Sequence, residues 1–141
     1  MTAEHLDHPR WSTPRLPPAD LNRKEHLVTE QPRQVGGGRR TLGDFSPTLA
    51  ALTDDVLFDD VWNRRELSAR DRSLITVAVL TAGGDLDQLR FHLGRAVENG
   101  VTSDELIEAI THVTFYAGWP KGMSAMTVAR EVLAPQTKEQ K

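Results

Sequence analysis

An all-α fold is predicted by three features of this 141-residue sequence. N-cap and stop signals are spaced one helix apart, apolar residues recur at helical spacing between them, and no alternating run would make a strand. Ser46 places a capping residue ahead of Pro47 at the first helical position. The helix or helix pair that follows runs to about Asn63. A restart at Thr53 would put Asp54 and Asp55 in a first turn, where the helix dipole favours acids. Ser68 caps the next helix, which carries Leu74-Ile75-Thr76-Val77-Ala78-Val79-Leu80 and stops at Gly83-Gly84. Apolar nearly all round, it reads as central and buried; the cap and the helical surroundings decide against a strand. A third helix begins near Asp85 and ends at Asn99-Gly100, a left-handed stop. Thr102 and Glu105 have capping-box spacing and open the fourth, which ends near Gly118-Trp119-Pro120. The last runs from about Lys121 to Leu133, closed by Pro135. Five to six helices are expected.

Composition narrows the function. The net charge of −3, without a basic stripe, argues against a nucleic-acid partner. The absence of cysteine excludes a disulfide framework, a thiol redox centre, a cysteine nucleophile and thiolate metal sites. The run Leu74–Leu80 is far too short to span a membrane, and no apolar stretch near the N-terminus reads as a secretory signal. A cytoplasmic protein with no membrane partner is the expectation.

Two unlike parts share the chain. Residues 1–40 hold five of the eight prolines and the run Gly36-Gly37-Gly38, carry +2 against −5 for the rest, and show no sustained apolar period. Such a segment buries too little apolar area to order itself alone. It reads as a flexible tail, or as an arm draped over a neighbouring subunit and anchored by Trp11 and leucines. Residues 41–135 form the helical domain, and 136–141 a charged C-terminal tail.

At 100° per residue, Leu86, Leu89, Leu93, Ala96 and Val97 make one stripe of the third helix, with Asp85, Gln88 and His92 on its border. That polar group could line a pocket; on the residues alone, His92 reads first as a core-edge histidine satisfied by one hydrogen bond. On the fourth helix Leu106, Ile107, Ile110, Val113 and Ala117 face the core. His112 and Tyr116, four apart, lie on a second face, and Phe115 also points away from the core. A second aromatic face suits either a site or a subunit interface. Arg72 sits one turn inside its helix, where a partly buried guanidinium needs a carboxylate from the protein or from a substrate. No ligand pair has a recognised metal-binding spacing, no glycine loop follows a strand to cradle phosphate, and no serine sits in a nucleophile elbow. Met123 and Met126 are at core spacing.

One ordered series of motifs is specific. Trp62, Leu67-Ser68-Ala69-Arg70-Asp71-Arg72-Ser73-Leu74, Phe91-His92-Leu93 with Ala96, Asn99-Gly100-Val101-Thr102, Glu105-Leu106-Ile107-Glu108, His112 and Tyr116-Ala117-Gly118-Trp119-Pro120 together resemble the carboxymuconolactone decarboxylase family over about residues 42–134. The resemblance implies a compact helical subunit of alkylhydroperoxidase D-like fold, assembled as a homotrimer or homohexamer. Thiol-dependent relatives in that superfamily carry Cys-x-x-Cys-x-x-x-His after an upstream glutamate. Here the histidine matches His92, the cysteine positions fall on Asp85 and Gln88, and the glutamate position falls on Ser73. Disulfide or peroxide reduction by that route is therefore closed to this chain.

The thiol-free branch implies a cofactor-independent carboxy-lyase acting on a small carboxylated lactone through an enolate or dienolate. Such a reaction needs a donor at the lactone carbonyl oxygen, a proton source at carbon and a dry place for the departing carboxylate. His92 suits the donor or proton source, and Arg72 the grip on the carboxylate that stays. Trp62, Gln88, His112, Tyr116 and Trp119 are the expected substrate-binding residues, with no metal and no cofactor. The alternatives are a non-catalytic oligomeric module binding a small molecule, or an isomerase-like enzyme using the same enolate.

Overall fold

A computed structural model of the chain describes residues 33–134. Among them are six α-helices, one π-helical and one 3-10 segment, and no strand. The helices are α1 (Gly38–Leu42), α2 (Pro47–Ala51), α3 (Ala69–Gly83), α4 (Leu86–Glu98), α5 (Ser103–Ala117) and α6 (Trp119–Leu133). The π-helix Leu52–Phe58 continues α2, and the 3-10 turn Val61–Asn63 leads towards α3.

The four long helices pack as a bundle in which α3 meets α4 and α5, and α6 closes against α4 and α5. Its core is Val77 from α3, Leu89, Leu93 and Ala96 from α4, Leu106 and Ile110 from α5, and Ala125, Val128 and Ala129 from α6. Each fully buried leucine or isoleucine contributes about 1.5–3 kcal/mol relative to an exposed one. Gly122 lets α6 close on α5, since a Cβ there would lie 1.9 Å from Thr114 Oγ1.

The predicted caps form as local chemistry dictates. Ser68 Oγ accepts from the Asp71 N–H, and Thr102 with Glu105 closes a reciprocal capping box. Gly84 and Gly100 take left-handed φ of 81° and 88° at the ends of α3 and α4. Other expectations are corrected. No new helix starts at Thr53; the chain widens from α2 into the π-helix, with the Asp59 N–H reaching back to the Asp54 carbonyl. Asp54 and Asp55 consequently serve another helix. The Asp54 carboxylate accepts from the N–H groups of Gly38 and Arg39 at the start of α1, and Asp55 pairs with the Arg39 side chain. α3 is not buried all round, because Ile75 and Val79 are exposed, as are Val97, Ile107 and Met123 on the other helices. α6 begins at Trp119 rather than Lys121, because Gly118 at φ 101° turns the chain and Pro120 fits the first turn.

Described residues upstream of 41 pack against these helices. Gln34 is buried, and Gly38 approaches α2 so closely that a Cβ would lie 2.7 Å from the Ala50 carbonyl oxygen. Of the arm expected over 1–40, residues 1–32 lie outside the described residues, as does the tail expected over 136–141. Among the described residues no helix is long and apolar enough to cross a membrane.

Candidate active site

The outer border of α4 meets the π and 3-10 segments in a cluster of rings around one histidine and one arginine. Helical spacing puts Phe91, His92 and Arg95 within one turn. The π-helix ends on Phe58 and the 3-10 turn supplies Trp62, both buried. His92 stacks on Trp62 with centroids 5.8 Å apart and planes 17° from parallel, while Phe91 meets it edge-on at 5.1 Å. Phe58 stacks on the far side of the pair, 5.8 Å from Trp62. The Arg95 guanidinium lies over the Phe58 ring at 4.7 Å and the Phe91 ring at 5.0 Å. A partly desolvated cation so placed gains about 1–2 kcal/mol from the ring quadrupoles.

This environment fixes the state of the histidine. Burial, and then the positive charge of Arg95, push His92 from 6.5 down to about 4. The ring is therefore neutral at pH 7, which removes the near-neutral titration that made it a candidate proton source. Its Nδ1 is buried without a hydrogen-bond partner among the described residues. Burial also pulls Arg95 below its ordinary value, opposed by Glu98. Arginine nevertheless stays charged.

A polar network adjoins the cage. Arg95 Nη1 donates to Gln34 Oε1 at 2.9 Å and Nη2 to the Val35 carbonyl at 2.7 Å. Gln34 Nε2 donates to Asn99 Oδ1 at 2.9 Å, and Asn99 Nδ2 donates to Ser73 Oγ at 3.0 Å. Ser73, the position that would hold a glutamate in thiol-dependent relatives, is fully buried and donates to the Ala69 carbonyl.

Of the residues singled out from the sequence, His92 and Trp62 come together. Arg72 is half-buried on the first turn of α3; its Nη2 donates to the Arg64 carbonyl at 3.3 Å and its Nε is buried without a partner. No carboxylate among the described residues pairs with it. The cation whose charge reaches His92 is Arg95. Asp85 and Gln88 are exposed, so His92 alone of the border group turns inward. His112 contacts Tyr116 at 5.0 Å and Trp119 meets Phe115 at 5.7 Å on the exposed face of α5 and α6. Nothing among the described residues joins those pairs to the α4 cluster. Arg95, Phe58, Gln34 and Asn99 escaped sequence reasoning. Arg95 alone carried a local signal, lying three residues from His92 on the same border.

Comparison with known proteins gives the family. The model of the carboxymuconolactone decarboxylase family matches residues 47–131. The chain belongs to that family. It is 41% identical over 100 residues to a 4-carboxymuconolactone decarboxylase of Acinetobacter baylyi, covering 71% of this chain and 75% of that one. It is 34% identical over 111 residues to a nitrosuccinic acid decarboxylase of Metarhizium robertsii, covering 79% and 76%. A 15.0 kDa uncharacterized protein of Paracoccus denitrificans is 30% identical over 102 residues. The expected enzyme class, a decarboxylase-type lyase, stands with these relatives. Within the family match fall Phe58, Trp62, Arg72, His92, Arg95 and Asn99; Gln34 and Val35 lie upstream of it.

Proposed function

We propose that this family member is a cofactor-independent carboxy-lyase, working in the cytoplasm on a small carboxylated lactone. The observation that carries the reading is His92: a neutral, partly buried imidazole, stacked on Trp62, with a nitrogen that no described residue satisfies. In the reaction the C–C bond to the departing carboxylate breaks and carbon dioxide leaves. The electron pair delocalises onto the lactone carbonyl as a dienolate, and a proton then adds at carbon. A neutral imidazole N–H serves as a pre-organised hydrogen-bond donor to the developing oxyanion. The nearby Arg95 charge stabilises the same negative charge, and a ring-lined site keeps water from the departing carboxylate.

Arg72, half-buried and free of any described carboxylate, grips the carboxylate that stays. Holding the scissile group instead would stabilise the ground state. The names of two relatives support this chemistry. A carboxymuconolactone and nitrosuccinic acid each join a carboxylate to a group, lactone or nitro, that can take up an electron pair.

The same reading makes the protein a homo-oligomer, a trimer or hexamer. Phe115, Tyr116 and Trp119 are exposed in the single chain, and so are Ile75 and Val79 on α3. Faces of this kind are usually covered by another subunit. His112, Tyr116, Trp119 and Gln88 would then join the substrate site only where subunits meet. Carbon dioxide release from carboxyl-labelled lactone acids tests the function. Release that survives chelation and dialysis is expected. Absence of release across the panel, or its loss on chelation, would overturn it. Sedimentation at micromolar concentration should show a trimeric or hexameric mass, and a monomer would overturn the assembly.

A further inference from the structure

The segment just upstream of the family match reaches the candidate active site. We propose that Gln34 is a positioning residue for His92, acting by holding the Arg95 guanidinium in the aromatic cage beside the imidazole. The proposal rests on the reading of His92 as the site's hydrogen-bond donor.

Gln34 Oε1 and the Val35 carbonyl take the two outer nitrogens of Arg95, while the rings of Phe58 and Phe91 lie against its plane. A guanidinium held at both nitrogens is kept from swinging towards Glu98, the acid one turn further along α4 whose charge already acts on it. Gln34 is itself anchored. Its backbone N–H donates to Asn63 Oδ1 at 2.9 Å, its Nε2 donates to Asn99, and its Oε1 accepts a second bond from Asn99 Nδ2 at 3.2 Å. Asn99 continues to Ser73 on α3. Among the described residues, Arg95 is the charged member of this network. An amide oxygen fixes a cation without cancelling its charge, as a carboxylate would.

Several other charges around α4 are engaged elsewhere. On α3, Arg70 pairs with Asp71 and Glu105, and Arg72 donates to a backbone carbonyl. On α6, Glu131 pairs with Arg90 of α4. The 3-10 turn presents the uncharged Trp62. Arg95 is thus the charge that adds to burial in lowering His92, and its position controls whether a cation faces the dienolate.

The test is the titration of His92, read by NMR of the imidazole in the full-length chain, for wild type, Gln34→Ala, Arg95→Gln and the double variant. Wild type should titrate at about 4. Arg95→Gln should raise that value by roughly one unit, the scale of removing a nearby like charge, and Gln34→Ala should raise it by part of that, since the cation is loosened and not removed. The double variant should rise no further than Arg95→Gln, because both changes remove one interaction. A wild-type titration in Gln34→Ala would overturn the proposal, as would a further rise in the double variant. Should Arg95→Gln fail to fold, Gln34→Ala against wild type decides alone. A packing role would lower Tm and leave the titration in place. The measurement needs no substrate, so absence of decarboxylation would remove the reading of the function without touching this result. Turnover with an unmoved titration would remove only the role of Gln34.

Discussion

Two regions of this molecule carry a histidine against aromatic rings, and they differ in almost everything else. On the α4 side His92 stacks on Trp62, which is 6% exposed, with Phe58 behind it and Arg95 alongside. On the outer face of α5 and α6 His112 meets Tyr116, which is 80% exposed, next to Phe115 and Trp119. The residue types are alike; desolvation and a fixed cation separate them. A ring that has lost its water and faces a positive charge becomes a neutral donor at pH 7. A ring at the surface is available instead to a second chain.

The largest contrast should appear in stability. Trp62→Ala removes a buried ring from between Phe58 and His92 and should cost about 3–5 kcal/mol in urea denaturation. Phe115→Ala, at a 73% exposed position, should lower the assembled mass in sedimentation while leaving the helical signal intact. A loss of fold with Phe115→Ala would erase the distinction between the two regions.

Turnover should separate them next. His92→Ala should slow the chemical step about 10²–10³-fold, the scale of one pre-organised donor, at a stability cost of about 1–2 kcal/mol. Because the ring is neutral, His92→Gln, which keeps an N–H donor, should recover part of that loss. Equal failure of both variants would restore a proton-delivering histidine. Full activity in both would move the site to His112 and Tyr116.

Arg72→Gln should act on binding. Loss of a charged hydrogen-bonding partner is worth about 1.5–3 kcal/mol, so KM for a dicarboxylated lactone should rise about 10–100-fold with a smaller change in kcat. A change confined to kcat would place Arg72 at the reacting atoms.

The smallest effect is a pH dependence carried by His92. The folded-state value of His92 lies below its ordinary one, so the unfolded chain binds the extra proton first. Stability should therefore fall as pH drops from about 6.5 towards 4, by no more than about 2 kcal/mol after allowance for partial solvent screening. His92→Gln should flatten that interval. Asp54, Asp55, Asp60 and Glu105 are held below the carboxylate range by hydrogen bonds from Arg39 and Gly38, Arg39, Arg64 and Thr102 respectively. Their contributions are lost at lower pH, beneath the histidine interval. An unchanged slope in His92→Gln would show that the ring is solvated like its exposed counterpart.

Much of the fold was legible because its punctuation is local. Ser68 bonds a backbone N–H three residues away, and Thr102 and Glu105 close on each other. Gly84 and Gly100 adopt conformations that penalise a side chain. His92 was legible as a border residue, since helical arithmetic separates it from the stripe of Leu89, Leu93 and Ala96. Its company was not. The partners of Arg95 come from residues 34, 35 and 58, and no spacing within α4 announces them.

The sequence by itself determined that the described domain is helical, where most helices begin and end, that no thiol chemistry is open to the chain, and which family it resembles. These follow from short-range hydrogen bonding, from periodicity and from residue chemistry, none of which needs a distant neighbour. Only the tertiary structure decided that the apolar surface of α3 is one-sided, with Ile75 and Val79 left outside the core. It also decided that the acids at 54 and 55 serve α1, and that the Arg95 charge acts on His92. Each of these depends on which distant segment takes a helix face away from water. Hydrophobic burial is non-directional, so a sequence pattern marks a face as apolar without naming what covers it.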